Sequence, residues 1–454
     1  MRLALEDTIA AVATPIGVGG VGIVRLSGPQ ALTIAASLFR GRRDLARNPR
    51  SLCHGWVLDP QSNERVDEVL AVYMPAPGTY TRQDVVEIDA HGGPLAVRQI
   101  LSFCLRAGAR AAEAGEMTLR AFVNGRIDLT QAEAVRGVVE ARTEAALRQA
   151  VGHLEGRLGT RIRQVRRGLL ECLAVVEAAI DFDEEEAGPP DLGPRLAGAV
   201  DDLTAMLAGA RAGIMRREGV HVAIVGRPNV GKSSLMNAIL GVERAIVTPI
   251  PGTTRDTLEE AANVNGVAVV FVDTAGLAGR AADAVEQLGM ERARQALARA
   301  DVVLLVLDAS QPLTADDAHV ASQAAAAPGS LVVWNKCDLP TLMQQSPLAG
   351  RPEVRISALT GEGLPTLEER LLQVALAGAE TGDEAPPASE RQRDAVARGL
   401  EAAQSALAGL GDGRPLDALA LDLKAAADAL GEVTGETAGE ELLTLVFSSF
   451  CVGK

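Results

Sequence analysis

The stretch GRPNVGKS at residues 226–233 has the residue types and spacing of a loop that holds phosphate. Gly226 and Gly231 let a backbone wrap anionic oxygens with its N–H groups turned inward. Lys232 can neutralise β/γ charge, and Ser233 can ligate Mg2+. Four further elements follow in the order such a loop needs. TTRD (253–256) stands at switch distance, with Thr254 in reach of Mg2+ and the γ-phosphate. Asp273 closes an apolar run, where it can hold Mg2+ through water, and Gly276 can donate its N–H to the γ-phosphate. NKCD (335–338) closes another run. Asp338 can accept from the N1 and N2 donors of guanine, a pair adenine lacks, while Asn335 supports the base and Lys336 packs along it. SAL (357–359) can bring backbone N–H groups to guanine O6. Five elements in order specify a guanine-nucleotide domain.

One position breaks the usual chemistry. In Ras-like switches the residue after the Asp-x-x-Gly motif is a Gln that orients the attacking water. Here DTAGLAG (273–279) puts Leu277 there, and Leu can neither hold a water nor stabilise charge. Asn229, inside the phosphate loop, offers a side-chain oxygen for a monovalent cation in the place of an arginine finger, with AIVTPIPGTTRD (245–256) closing over it through carbonyls. The plainer reading of Asn229 is that it shapes the loop.

These residues need elements to position them. At 454 residues the chain is too long for one core, so several domains are expected. Apolar residues make up 47% but aromatics only 2%, so Ala and Leu carry the burial, which favours helices and α/β layers. A net charge of −15 excludes a globally basic nucleic-acid coat, though not a local basic patch. The scattered cysteines 53, 104, 172, 337 and 451 form no C-x-x-C pair, which fits a reducing cytosol without structural zinc. The opening MRLALEDTIA does not read as a signal peptide, and no long uncharged apolar run predicts a membrane span.

The runs VGIVRL (21–26), EVLAVYMP (68–75) and DVVEIDA (84–90), with helices near 29–39 and 94–107, predict an α+β N-terminal domain over 1–120. Leu158, Ile162, Val165, Leu169, Leu173, Val176 and Ile180 make one stripe of a long helix, and a second helix is expected over 195–215; together these give a first helical part over 121–215. HVAIV (221–225), AVVFV (268–272), VVLLVL (302–307), LVVW (331–334) and EVRI (353–356) alternate with helical stretches, predicting a parallel sheet covered on both faces. That defines a Ras-like P-loop GTPase domain over 216–379, with a doubly wound, mostly parallel sheet. Helical pattern returns over 380–454, with Val396, Leu400, Ala403 and Leu407 on one stripe and Leu419, Leu423 and Leu430 on another. The expectation is a multidomain α/β and α+β chain whose helical domain carries the GTPase domain as an insertion.

The chain resembles the tRNA-modification GTPase family MnmE (TrmE). The residues that carry this are TPIGVGGVGIVRLSG (14–28), HGGP (91–94), RAFVNGRIDLTQAEAV (120–135), GRPNVGKSSLMNAI (226–239), PGTTRD, DTAGL, NKCD and the ending FSSFCVGK (447–454). The resemblance implies a homodimer formed by an N-terminal domain that binds a folate such as 5-formyltetrahydrofolate. It also implies a complex, a heterotetramer or larger, with the FAD-dependent partner MnmG (GidA). Together they install an aminomethyl-type group, usually carboxymethylaminomethyl, at C5 of the wobble uridine of certain tRNAs in the cytoplasm, with K+ activating GTP hydrolysis. The nucleotide-contacting set comprises Asn229, Val230, Gly231, Lys232, Ser233 and Ser234; Thr248, Pro249, Ile250, Pro251, Gly252, Thr253 and Thr254; Asp273, Thr274, Ala275 and Gly276; Asn335, Lys336, Cys337 and Asp338; and Ser357, Ala358 and Leu359. By position, Asn229, Thr248, Ile250 and Thr253 surround K+, Ser233 and Thr254 hold Mg2+, and Glu286 orients the water, with one extra residue between it and Gly276. The folate residues carry over to Arg25, Glu87, Arg126 and Lys454. Arg126 stands where some relatives have Lys, and Val18 where a basic residue is common. Cys451 reads as packing in an apolar tail, with covalent catalysis as the alternative, and Arg157, Arg161, Arg163, Arg166 and Arg167 as a contact for tRNA phosphates or a solvated helix face. A ribosome-assembly or regulatory GTPase switch is the competing function. A folate enzyme with a vestigial GTPase domain is a third.

Overall fold

The computed structural model describes residues 6–181, 192–242, 260–272, 297, 300–327, 329–342, 345–377 and 385–453. Its contacts divide the chain into two compact units, one of residues 1–136, 154–163 and 431–454, the other of 137–153 and 164–430.

The first unit is built on a seven-stranded sheet in the order β3-β4-β5-β6-β2-β1-β7. The strands are β1 (Ile9–Val12), β2 (Gly19–Ser27), β3 (Phe39–Gly41), β4 (Cys53–Leu58), β5 (Arg65–Met74), β6 (Val85–Gly92) and β7 (Arg110–Ala111). Two helices, α1 (Ala31–Leu38) and α2 (Pro94–Arg106), share one core with the sheet. Alternation decides which side chains meet them: Val24 and Leu26 of β2 and Val86, Ile88 and Ala90 of β6 join that core. The intervening Arg25, Glu87 and Asp89 therefore line the opposite face. Arg25 and Glu87 stand directly opposite each other in the antiparallel register. Helix α3 (Glu116–Val123) follows, and the helix Glu440–Ser448 packs near it through Phe447, Phe450 and Leu119.

β1, β3, β4 and β7 lie outside the runs the sequence marked as strands. β4 shows why. Its inward positions are Cys53, Gly55 and Val57, and the Phe39 ring fills the space beside Gly55, so the apolar alternation is carried partly by a neighbour.

Helices α4 (Leu129–Glu140) and α6 (Arg157–Asp181) contribute residues to both units, with α5 (Glu144–Leu154) between them. The α6 stripe is buried from Leu158 to Val176, whereas Ile180 is 40% exposed. In the second unit α7 (Gly193–Glu218) runs into a six-stranded sheet of order β13-β12-β11-β8-β10-β9. Its strands are β8 (Val220–Val225), β9 (Glu260–Val264), β10 (Val267–Phe271), β11 (Val302–Asp308), β12 (Ser330–Asn335) and β13 (Glu353–Arg355). The five expected strands pair in parallel along this order. β9, which the sequence pattern did not mark because its Ala-rich EAANV has weak strand propensity, pairs antiparallel with β10 at the edge, so the sheet is mostly parallel, as expected. All seven residues of β11 are buried, and separate apolar clusters cover the sheet's two faces. The helices Ala315–Ala325 and Leu364–Ala375 complete those layers.

The helix Glu390–Gly411 corrects an expectation. Ala395, Val396, Gly399, Ala403 and Ala406 are buried, while Leu400 and Leu407 are half-buried. The inward stripe is rotated toward small residues because the packing is close: a Cβ on Gly399 would lie 3.0 Å from Leu430.

Candidate functional site

Strand β8 ends at Val225, and helix α8 (Lys232–Val242) begins seven residues later. The loop between them turns through three positive φ values: +155° at Gly226, +67° at Asn229 and +98° at Gly231. Glycine is required at both ends. A Cβ on Gly226 would strike the Val306 carbonyl, and one on Gly231 would strike the Asn335 amide. A left-handed non-glycine residue costs about 1–3 kcal/mol and persists where its surroundings over-determine it. Lys232 Nζ donates to the carbonyls of Gly226 (2.7 Å) and Arg227 (2.8 Å), and burial pushes its pKa down. Ser233 and Ser234 are exposed in the first turn of α8, where the helix dipole favours anions.

Asn335, 2% exposed at the end of β12, ties the motifs together. Its Nδ2 donates to Val230 O (2.9 Å), and its Oδ1 accepts from Ala358 N (2.9 Å). Lys336 donates to Asn229 O (2.8 Å) and to Asp308 (2.7 Å). Ser357 Oγ donates to Asp338 (2.6 Å), fixing that carboxylate; Leu359 is exposed, and Cys337 is half-buried with its thiol on Trp334 O. Residues 226–233, 335–338 and 357–358 therefore form one connected edge of the sheet. Thr248, Pro249, Ile250, Pro251, Gly252, Thr253, Thr254, Asp273, Thr274, Ala275, Gly276, Leu277 and Glu286 lie outside the described residues.

Two partners of this edge were not singled out from the sequence. Asp308 was visible only as the residue that follows an apolar run. Arg227 donates to Gln311 (2.9 Å) and pairs with the buried Asp317 (3.3 Å), which also closes a capping box with Thr314.

In the first unit Arg25 Nε meets Glu87 at 2.6 Å, and Arg25 Nη1 donates to Gly453 O at 3.4 Å. The tail is held by a bridge between Ala114 and Val452. The guanidinium of Arg126 lies 4.7 Å over the Tyr80 ring. Burial raises the pKa of the Tyr80 hydroxyl, against the lowering effect of its 3.0 Å bond to Thr118 and of Arg126 and Arg25. Among the described residues Arg126 makes no hydrogen bond to the Arg25–Glu87 pair and instead donates to Tyr80 O at 3.5 Å; Lys454 lies outside the described residues. Asp89, two residues along β6 from Glu87, went unread; its signal was the repeat of carboxylates at strand spacing. Burial and then the neighbouring Glu87 raise its pKa, and its Oδ1 is buried without a hydrogen bond among the described residues. An orphaned carboxyl oxygen beside an ion pair fits a ligand with N–H groups.

Cys451 is exposed, which corrects the packing reading; Phe447 and Phe450 fill that role instead. Of the arginine cluster, Arg157 pairs with Glu155 (2.9 Å), Arg163 with Asp128 (2.7 Å), and Arg166 donates to Ala427 O (2.9 Å). No helix of the described residues is long and apolar enough to cross a membrane, and among them no cluster of three or more His, Cys, Asp or Glu is placed to hold a metal.

A doubly wound sheet, a glycine-bounded phosphate loop at the C-terminal end of its first parallel strand and an NKCD strand end joined to that loop define a P-loop GTPase that binds GTP. Comparison with known proteins narrows the class. Residues 129–451 match the MnmE helical domain, and residues 8–126 match the N-terminus of the GTP-binding protein TrmE. Proteins named tRNA modification GTPase MnmE from Chloroflexus aurantiacus and Symbiobacterium thermophilum are 48% and 46% identical to the chain. Each match covers 99% of this chain and 100% of the relative. The relative of that name from Roseiflexus sp. strain RS-1 is 46% identical, with 99% of both chains covered. The chain belongs to the tRNA modification GTPase MnmE family.

Proposed function

We propose that this chain couples K+-activated GTP hydrolysis to modification of C5 of the wobble uridine of certain cytoplasmic tRNAs, as a homodimer acting with an FAD-dependent MnmG-type partner and a folate one-carbon carrier. The domains proposed for these tasks are 1–120 for folate and dimerisation, 121–215 and 380–454 for the helical scaffold, and 216–379 for GTP. The observation that carries the reading is the Arg25–Glu87 pair, capped by the Gly453 carbonyl, in a chain that also has a complete phosphate loop. A regulatory or ribosome-assembly switch has no use for that pair.

Asp338 reads guanine, with Ser357 holding it in place. Asn335 and Lys336 hold the loop and the base motif in one frame, and the loop's N–H groups with Lys232 take the phosphates. Ser233, exposed at the start of α8, suits Mg2+ together with Thr254, and Asn229 suits K+ together with Thr248, Ile250 and Thr253. Such cations supply charge stabilisation where an arginine finger otherwise acts. Glu286 is proposed to orient the water. In the first unit Glu87 and Asp89 offer carboxyl oxygens to the amide-like edge of a pterin, and Arg25, Arg126 and Lys454 offer charge to the glutamate tail of folate. Folate, when bound, supplies the one-carbon unit.

The deciding measurement is nucleoside analysis of tRNA from a strain lacking the gene, complemented with wild type, Asp338→Asn or Glu87→Ala. Wild type is expected to restore the C5-modified wobble uridine and neither variant to do so. Unmodified tRNA after wild-type complementation would refute the proposal.

A further inference from the structure

Lys336 has φ +66° and Asn229 φ +67°, and these two left-handed residues meet at a single hydrogen bond, Nζ to carbonyl, of 2.8 Å. The same ammonium lies 2.7 Å from Asp308 Oδ2. Asp308 ends β11, stands opposite Asn335 in the sheet register, and has a side chain only 1% exposed. Its other oxygen accepts from Ser310 Oγ (2.6 Å) and Ser310 N (3.0 Å). Burial alone would raise its carboxyl, but the Lys336 ammonium and the Ser310 donors bring the pKa below the usual value, so the group is charged. A carboxylate, an ammonium and a loop carbonyl therefore stand in a row. Because a trans peptide sends its N–H opposite to its C=O, a fixed Asn229 carbonyl also fixes the direction of the Val230 N–H, one of the loop's donors.

We propose that Asp308 is a positioning residue for nucleotide binding: through the Lys336 ammonium it orients the Asn229–Val230 peptide and hence a donor to the phosphates of a guanosine di- or triphosphate. This rests on reading 226–233 as the nucleotide loop. Asp308 itself touches no nucleotide. Replacing it by Asn keeps shape and the Ser310 contact but turns the ammonium's anchor neutral.

The test is stopped-flow dissociation of N-methylanthraniloyl-GDP from the full chain, for wild type, Asp308→Asn, Lys336→Gln and the double variant. Lys336→Gln keeps an aliphatic stem for the base and loses the charge. Asp308→Asn is expected to speed dissociation about tenfold, the size of one charge-assisted hydrogen bond. In the Lys336→Gln background the same change is expected to add less than about twofold. Preference for guanosine over xanthosine diphosphate is expected to survive Asp308→Asn, since Asp338 is untouched. An unchanged rate, a full effect without Lys336, or a lost base preference would each overturn the proposal. Absence of wild-type binding would overturn the nucleotide site and the proposal with it, which separates the two failures. If Asp308→Asn does not fold, Asp308→Glu runs through the same cycle, with acceleration expected only when Lys336 is present.

Discussion

Asp338 and Glu87 are both carboxylates proposed to read donor pairs, yet their surroundings differ. Ser357 Oγ holds Asp338 from one side, and the rest of the carboxylate is proposed to take the N1 and N2 donors of guanine. Asp338→Asn is expected to weaken GTP binding by about 2–4 kcal/mol and to favour xanthosine triphosphate, because the donor–acceptor pattern is swapped. Competition titrations with the two nucleotides check this, and equal affinity of wild type and variant for GTP would refute the role. Glu87 is instead bound to Arg25 and followed by the orphaned oxygen of Asp89. Calorimetry with 5-formyltetrahydrofolate is expected to show binding to wild type and its loss in Glu87→Ala. The nucleotide loop was legible in the sequence because phosphate chemistry fixes glycines and a lysine at short spacings. Asp308 and Asp89 were not, because their partners are set by strand register and not by sequence neighbours.

Elements are held in place by contacts that leave little room and by buried charge. Gly213 of α7 faces the chain near Pro387, and an added Cβ would lie 2.5 Å from the Pro387 carbonyl. Gly213→Ala is expected to destabilise by about 1–3 kcal/mol despite alanine's better helix propensity, which a thermal melt would register. In the first unit the fully buried Arg120 binds Glu116 and Asp7, and Arg110 binds the same two carboxylates. Burial alone would raise Glu116, but Arg110, the Glu113 N–H and Arg120 together lower it below its ordinary 4.5. A lowered folded pKa contributes stability above the unfolded value and loses it as pH falls through the folded one. Urea melts of wild type are therefore expected to show a steep loss of stability below pH 4.5. Glu116→Gln is expected to cost about 3 kcal/mol at neutral pH and to flatten that acid limb. A variant with the wild-type acid limb would remove Glu116 from the account. Of the helical stripes, α6 was read almost to its end, but the face of Glu390–Gly411 was misplaced because tight packing selected Ala and Gly over the nearby leucines.

At the scale of the whole molecule, the switch chemistry and the tail set the tests. Hydrolysis is expected to be much faster in KCl than in NaCl, by a factor approaching the roughly 10³–10⁵ of an arginine finger. Asn229→Ala is expected to lose that difference while retaining GTP binding, and equal wild-type rates in the two salts would remove the cation from the proposal. Deleting residues 451–454 takes away the Val452 bridge and the Gly453 carbonyl on Arg25, so tRNA modification is expected to fail while nucleotide binding persists. The resemblance groups Lys454 with Arg25 and Glu87, so a tail beside that pair was expected, and the Gly453 carbonyl on Arg25 meets that expectation; that the chain from residue 431 onward joins the opening unit was not legible, since nothing local encodes a pairing with residue 114. That pairing has a consequence for synthesis. Ribosomes add roughly 5–20 residues per second, so the opening 136 residues emerge roughly 15–60 s before residue 431 does. During that interval the newborn sheet waits with the apolar surfaces of Leu119 and Leu129 uncovered, and Phe447 arrives only afterwards to close them. A chain whose translation stops early is thus left with an unfinished first domain, a sticky surface that chaperones and proteases can recognise.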